Sequence, residues 1–163
     1  AGRQCASQAL TKLGSEENNA MLGVDGLPIW PMGFLGSISH SLGVAMAVVT
    51  TSEKYSLIGL DLEKTNRLSE LAARRVIHPL EISFAKDNQV NASILFSLKE
   101  SFYKAQFPRW HQKGNFRDLA LSIDLAKGTA DIKEIDARFA TELESLSFAF
   151  EVVGDFVISV AWS

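Results

Sequence analysis

Three short stretches of this chain hold side chains suited to managing phosphate and a hard cation. In Gly59-Leu60-Asp61-Leu62-Glu63-Lys64 two carboxylates stand two residues apart, so on a strand both leave one face while Ile58, Leu60 and Leu62 point to the other. Acids about 7 Å apart along a strand face can share a hard cation, although an acid pair at a strand end is also an ordinary solvated face. Further on, Ser93, Ser97, Glu100 and Lys104 recur at three- or four-residue spacing, with Lys99 beside Glu100. On a helix these form one polar stripe, and in isolation Glu100 and Lys104 make a surface ion pair worth about 0.3–0.5 kcal/mol. In Gly36-Ser37-Ile38-Ser39-His40-Ser41, small hydroxyl residues and an imidazole precede an apolar run. Read as a loop, that segment offers N–H groups, hydroxyls and a histidine to a phosphate; it also fits a plain serine-rich turn with His40 capping a strand.

The elements that must hold these groups follow from hydrophobic spacing. Residues 1–13 place Ala6, Ala9, Leu10 and Leu13 on one helical face before Gly14. Residues 15–36 hold four glycines and two of the four prolines and read as a long connection. The apolar run 44–50 predicts a buried strand, 56–63 a second, and the break at 52–54 a hairpin joining them. Residues 67–78 carry Leu68, Leu71, Ala72 and Val76 on one helical face, and Pro79 is placed to end that helix and open a short one over 80–84. A further helix is predicted over 94–105, with Ile94, Leu95, Leu98, Phe102 and Ala105 as its apolar stripe. Alternation over 119–125 and apolar runs at 146–153 and 156–162, the last two joined by Gly154-Asp155, predict a meander. Helix, hairpin, helices and meander in that order imply an α+β fold with mainly antiparallel strands.

Composition narrows the class. With 163 residues, 47% apolar and 21% charged, the chain is an ordinary globular one of a single domain or two small packed halves. A formal net charge of −3 gives no global attraction to nucleic acid or an acidic membrane, so an anionic ligand needs a local patch. Cys5 is the only cysteine, which excludes an internal disulfide and a multi-cysteine zinc site and fits a reducing compartment. No stretch approaches the roughly 20 apolar residues of a membrane span.

The three motifs in this order carry a resemblance. The chain is similar to the 4'-phosphopantetheinyl transferases of the enterobactin-synthase and surfactin-synthase activating type. These are marked by a Ser-His-Ser-like segment, a Gly-(Ile/Leu)-Asp-(Ile/Leu)-Glu strand and a Trp-x-x-Lys-Glu-(Ala/Ser)-x-x-Lys helix. The matching stretches here are 36–41, 59–64 and Phe96-Ser97-Leu98-Lys99-Glu100-Ser101-Phe102-Tyr103-Lys104, with further similarity in Ala1-Gly2-Arg3 and Trp30-Pro31-Met32-Gly33. The resemblance implies two similar α/β halves about a pseudo-twofold axis with the active site between them, here residues 1–64, expected to lack upstream residues, and 65–163. It implies transfer of 4'-phosphopantetheine from coenzyme A to a serine of an apo carrier protein, with Mg2+ and release of 3',5'-ADP. By motif position Asp61, Glu63 and Glu100 would hold Mg2+. Arg3, Ser39, His40, Asp61, Lys99 and Lys104 would bind coenzyme A, and Glu100, Lys104 and Lys99 would be catalytic, with the base left open between Glu100, Glu63 and a water.

Some positions depart from the pattern. Phe96 stands where the family has Trp, and residues 24–28 have no basic residue before Pro28, leaving Arg3 and His40 for the 3'-phosphate. The same carboxylates and lysines would also serve a metal-dependent nucleotide pyrophosphate hydrolase, distinguished by consuming coenzyme A without a carrier, or persist in an inactive coenzyme A-binding protein. The partners implied are coenzyme A and an acidic carrier protein or carrier domain of a synthase, for siderophores, other peptides, polyketides or fatty acids alike, with Arg74, Arg75, Arg109, Trp110 and Lys113 as docking candidates. A cytoplasmic monomer without nucleic-acid partner is the accompanying expectation.

Overall fold

The structure, a computed structural model, describes residues 1–163. Helix α1 (Gly2–Lys12) is followed by a two-residue pair, β1 (Met21–Leu22) and β2 (Pro28–Ile29), then by strands β3 (Phe34–Ser41) and β4 (Val44–Thr51). Strand β5 (Ile58–Lys64) leads through helices α2 (Glu70–Val76) and α3 (Ile82–Ala85) to the long α4 (Gln89–Trp110). Strands β6 (Leu119–Asp124), β7 (Thr129–Ile135), β8 (Ser147–Val153) and β9 (Phe156–Trp162) complete the chain. No helix is long and apolar enough to cross a membrane.

The hairpin expected from 44–50 and 56–63 is not formed. β4 pairs antiparallel with β3, while β5 pairs with β9 at the end of a five-stranded sheet of order β5-β9-β8-β7-β6. Period-2 patterning shows which faces are apolar and not which strand lies alongside. Leu60 and Leu62 are each 2% exposed, although they face away from the side of β5 on which α4 lies. β4, read as buried, is half-exposed along most of its length and carries α1, whose Ala6 and Leu10 are the residues turned inward. β7 escapes the sequence pattern because Ala130 is its only buried residue.

Helix boundaries follow capping chemistry. α2 starts three residues later than its apolar spacing suggests, because the Ser69 hydroxyl accepts from Ala72 N and fixes the first turn. Beyond it Pro79 opens a 3-10 turn, and α3 follows. α4 extends past 94–105 at both ends, from the Asn88 cap to His111, which ends it in a left-handed conformation at φ 50°. The predicted stripe Ile94, Leu95, Leu98, Phe102 and Ala105 sits in the core with Phe148, Val157 and Ala161 of the sheet. The polar stripe is not solvated: Ser93 and Ser97 are fully buried, so α4 is enclosed on almost every side.

One contact sets how α4 lies. A Cβ at Gly59 would fall on the Ser101 carbonyl oxygen and within 2.5 Å of Ala105 N. Only glycine lets the α4 backbone rest on β5 there. By strand alternation Asp61 and Glu63 share that helix-facing side with Gly59.

Candidate active site

Asp61 is the centre of the site and is 4% exposed. Its Oδ1 accepts Lys104 Nζ at 2.7 Å and Ser39 Oγ at 3.1 Å, and its Oδ2 accepts Ser97 Oγ at 2.9 Å. Three elements therefore meet on one carboxylate: β5 supplies it, α4 supplies Ser97 and Lys104 about two turns apart, and β3 supplies Ser39. The Ser39 hydroxyl is fully used, since besides donating to Asp61 it accepts from Leu62 N at 3.1 Å and Lys104 Nζ at 2.9 Å. That bond to Leu62 N satisfies an amide on the edge of β5 away from β9, along which β3 runs without a backbone ladder.

Residues 36–41 are thus a strand and not a loop. Their alternation buries Ser37, Ser39 and Ser41 and leaves His40 exposed. Backbone pairing with β4 runs from Phe34 to Ser41, and of the segment's polar side chains His40 is the exposed one, while Ser39 acts by holding Asp61 and Lys104.

A recess of about 330 Å³ is lined by Ser39, His40, Asp61, Glu63, Phe96, Glu100 and Lys104. It shares Ile38, His40, Glu100 and Lys104 with a larger cleft of about 940 Å³, whose far wall carries Arg3, Trp30 and Phe34. Glu100 also borders a third pocket of about 150 Å³, whose wall includes Lys99 and Asn115 beside Phe102, Tyr103, Phe116, Leu119 and Phe139. The site residues named from sequence therefore come together from Arg3 to Lys104, with one exception.

That exception is Lys99. Its ammonium donates to Glu81 Oε2 at 2.7 Å and Val76 O at 2.9 Å, with the two side chains 2% and 0% exposed. Glu81 also accepts His78 N at 2.8 Å and Leu121 N at 2.7 Å. This buried pair ties α4 to α2, the 3-10 turn and β6, on a different side of the helix from Asp61. Nothing in the spacing of Glu81 in a short turn announces it. Nor does the Glu100 to Lys104 pair form, because Lys104 turns to Asp61.

The electrostatics of Glu100 follow. Its carboxyl is pushed above the ordinary carboxylate range, first by burial, then by repulsion from Asp61 and more weakly from Glu63, with Lys104 opposing. Glu63 accepts Lys64 N at 3.0 Å and lies 3.8 Å from Arg67. Sequence reasoning missed Ser159, whose hydroxyl lies 2.8 Å from that of Ser97. The available signal was one polar residue in the apolar strand Phe156–Trp162.

Asp61, Glu63 and Glu100 border one recess, yet no three of the acidic or imidazole groups stand as a ready-made metal cage. The donor set nonetheless suits a hard cation: three carboxylate side chains with net repulsion at Glu100, opening on a cleft where phosphate oxygens and waters complete the shell. Magnesium takes few protein carboxylates and keeps such outside ligands.

Comparison with known proteins gives the family and the fold. Residues 1–50 match the family model of the 4'-phosphopantetheinyl transferase N-terminal domain, and residues 57–161 that of the 4'-phosphopantetheinyl transferase superfamily. The chain is 33% identical over 132 residues to the 4'-phosphopantetheinyl transferase Npt of Nocardia iowensis, covering 79% of this chain and 60% of the relative. To enterobactin synthase component D of Salmonella typhimurium it is 36% identical over 114 residues, covering 64% of this chain and 45% of the relative. It thus spans about half the length of the curated relatives it matches. Among solved structures, holo-[acyl-carrier-protein] synthase of Thermotoga maritima superposes with a TM-score of 0.54 at 17% identity, covering 66% of this chain and 62% of that one. The Helicobacter pylori holo-[acyl-carrier-protein] synthase, solved in complex with coenzyme A, gives 0.50 at 24% identity, covering 65% of this chain and 99% of that one. These likenesses establish the α+β fold.

Proposed function

The chain belongs to the 4'-phosphopantetheinyl transferase superfamily, and we propose that it moves the phosphopantetheine arm of coenzyme A onto a serine hydroxyl of an apo carrier protein, releasing 3',5'-ADP. The observation that carries this reading is the convergence of Ser39, His40, Asp61, Glu63, Glu100 and Lys104 on one recess that runs into a long cleft.

Each group then has a task that its surroundings support. Arg3 and His40, both exposed at the cleft, face the outer phosphate of the nucleotide end. The apolar pocket beside Glu100 suits the pantetheine chain, which is neutral and slender. Lys104, already held by Ser39 and Asp61, places a positive charge where charge builds on the transferring phosphate. Lys99 supports α4 from within and does not reach the phosphates.

Asp61, Glu63 and Glu100 are the residues that would hold Mg2+. When bound, that ion would neutralise the pyrophosphate and polarise the phosphorus under attack. The carrier serine Oγ forms the new O–P bond to the β-phosphorus, the bond from that phosphorus to the bridging oxygen breaks, and the bridging oxygen leaves on 3',5'-ADP. In the metal-free chain burial and neighbouring acids make Glu100 more basic than a free carboxylate; with Mg2+ held by the same carboxylate that basicity falls, so the serine proton goes to Glu100, to Glu63 or to a water. The carrier docks on α2, where exposed Leu71 adjoins exposed Arg74 and Arg75, a mixed apolar and basic surface for an acidic helical partner.

Intact-mass spectrometry of an apo carrier protein incubated with this chain, coenzyme A and Mg2+, beside Glu100→Gln, tests the reading. Gain of one phosphopantetheine unit, absent with the variant, is the expected result. Coenzyme A cleaved without a modified carrier would replace transfer by pyrophosphate hydrolysis, and intact coenzyme A with unmodified carriers would reduce the site to a binding one.

A further inference from the structure

The Asp61 carboxylate has an open side and a sealed one. Its Oδ1 meets Ser39 and Lys104, both of which line the recess, and the Lys104 side chain is 28% exposed. Its Oδ2 meets Ser97, and behind Ser97 stands Ser159, each with no exposure to solvent. Ser159 lies directly opposite Asp61 in the β5 and β9 register, so the two serines and the carboxylate form a closed junction of α4, β5 and β9.

The proton order in this junction is determined. A serine hydroxyl has one hydrogen. Ser97 spends its hydrogen on Asp61 Oδ2 at 2.9 Å, so the hydrogen in the 2.8 Å contact between the serines comes from Ser159. Two O–H dipoles therefore point in series at one oxygen, each polarising the next. Either serine alone in an apolar layer would be an expensive burial; together they satisfy each other only if Asp61 is there to accept.

We propose that Ser97 and Ser159 are positioning residues: a two-serine relay that locks Oδ2 of Asp61 and thereby presents Oδ1 to the divalent cation that accompanies coenzyme A. This rests on the transferase reading above. A cation entering from the recess competes at Oδ1 with an ammonium on a flexible stem, whereas Oδ2 stays committed to a partner sealed from the recess. The carboxylate then cannot rotate to follow Lys104, and the cation finds an oxygen already aimed. Partners behind a metal-binding carboxylate change affinity by about 10- to 100-fold when lost.

The test uses Mn2+ as probe, its free-ion electron paramagnetic resonance signal reporting binding in saturating coenzyme A, with denaturation midpoints recorded alongside. Ser97→Ala is expected to weaken Mn2+ binding about 10-fold, and Ser159→Ala, one link further away, by a smaller factor. Because the second link acts only through the first, the double variant should match Ser97→Ala in Mn2+ affinity. Independent packing roles would instead give additive losses of stability with Mn2+ affinity unchanged, and that result overturns the relay. Should Ser97→Ala not fold, unaltered Mn2+ affinity in Ser159→Ala is enough to overturn it. If the unaltered protein binds no Mn2+ with coenzyme A, the transferase reading itself falls; binding in that protein with no change in the variants defeats the relay alone.

Discussion

Replacing Lys99 by methionine separates a structural lysine from a catalytic one. The substitution keeps the length of the side chain and removes the charge from a pair in which both partners are essentially excluded from water. Three things are lost: the 2.7 Å bond to Glu81, the 2.9 Å bond to Val76 O, and the counter-charge for a buried carboxylate. Removing one partner of a buried pair costs about 3–5 kcal/mol. Glu81 keeps two backbone donors, His78 N and Leu121 N, which places the expected loss near the lower end, about 3 kcal/mol. With a urea m-value of about 2 kcal/mol/M, the midpoint should fall by about 1.5 M. Adding Glu81→Gln should recover part of it, since the uncompensated charge is then gone, so the double variant is more stable than the sum of the singles by about 1 kcal/mol or more. Urea unfolding followed by circular dichroism measures both, and transfer kinetics are taken where each variant is folded. A Lys99→Met protein with its midpoint unmoved and transfer reduced 100-fold would refute the reasoning and return Lys99 to the phosphates.

Gly59→Ala should destabilise by about 3 kcal/mol, because the new methyl meets the backbone of α4 and not a side chain that can turn away; the same urea titration reads it, and a loss within 0.5 kcal/mol, about the scatter of surface substitutions, would contradict the packing. Glu100 gives a pH dependence. Its raised value means that the folded, metal-free protein holds a proton that the unfolded chain has already released, so stability falls as pH rises out of the carboxylate range. The Tm of Glu100→Gln should therefore gain on that of the unaltered protein as pH rises above about 4.5, and a constant difference would argue against the burial of the Glu100 carboxyl, with the added repulsion from Asp61, as the cause of its raised value. Reversing the charge at Arg74 and Arg75, both exposed on α2, should raise KM for an acidic carrier severalfold with little change in kcat, as expected for a docking contact.

The motifs could be read without a fold because their chemistry is local. Asp61 and Glu63 share a face by the period of a strand, and Ser97, Glu100 and Lys104 share one by the period of a helix. The core of α4 was equally legible, since Ile94, Leu95, Leu98, Phe102 and Ala105 repeat as a helix requires. Gly59 was visible as a motif letter, but its reason was not, because the clash it avoids is with residues some forty positions later.

What the sequence determined by itself is therefore the helices, strands β4, β5, β6, β8 and β9, and the inventory of chemical groups, all of which depend on spacing over a few residues; β1 to β3 and β7 were not among them. What tertiary structure alone decided is who meets whom. It paired β5 with β9 and not with β4, made 36–41 a strand whose backbone is paired with β4, gave Lys104 to Asp61 in place of Glu100, and drew Lys99 away to Glu81. Each of these is a choice among chemically equivalent partners, and it is settled by burial: a charge or amide removed from water takes whichever partner the packed layers place within reach, at separations the local pattern does not encode.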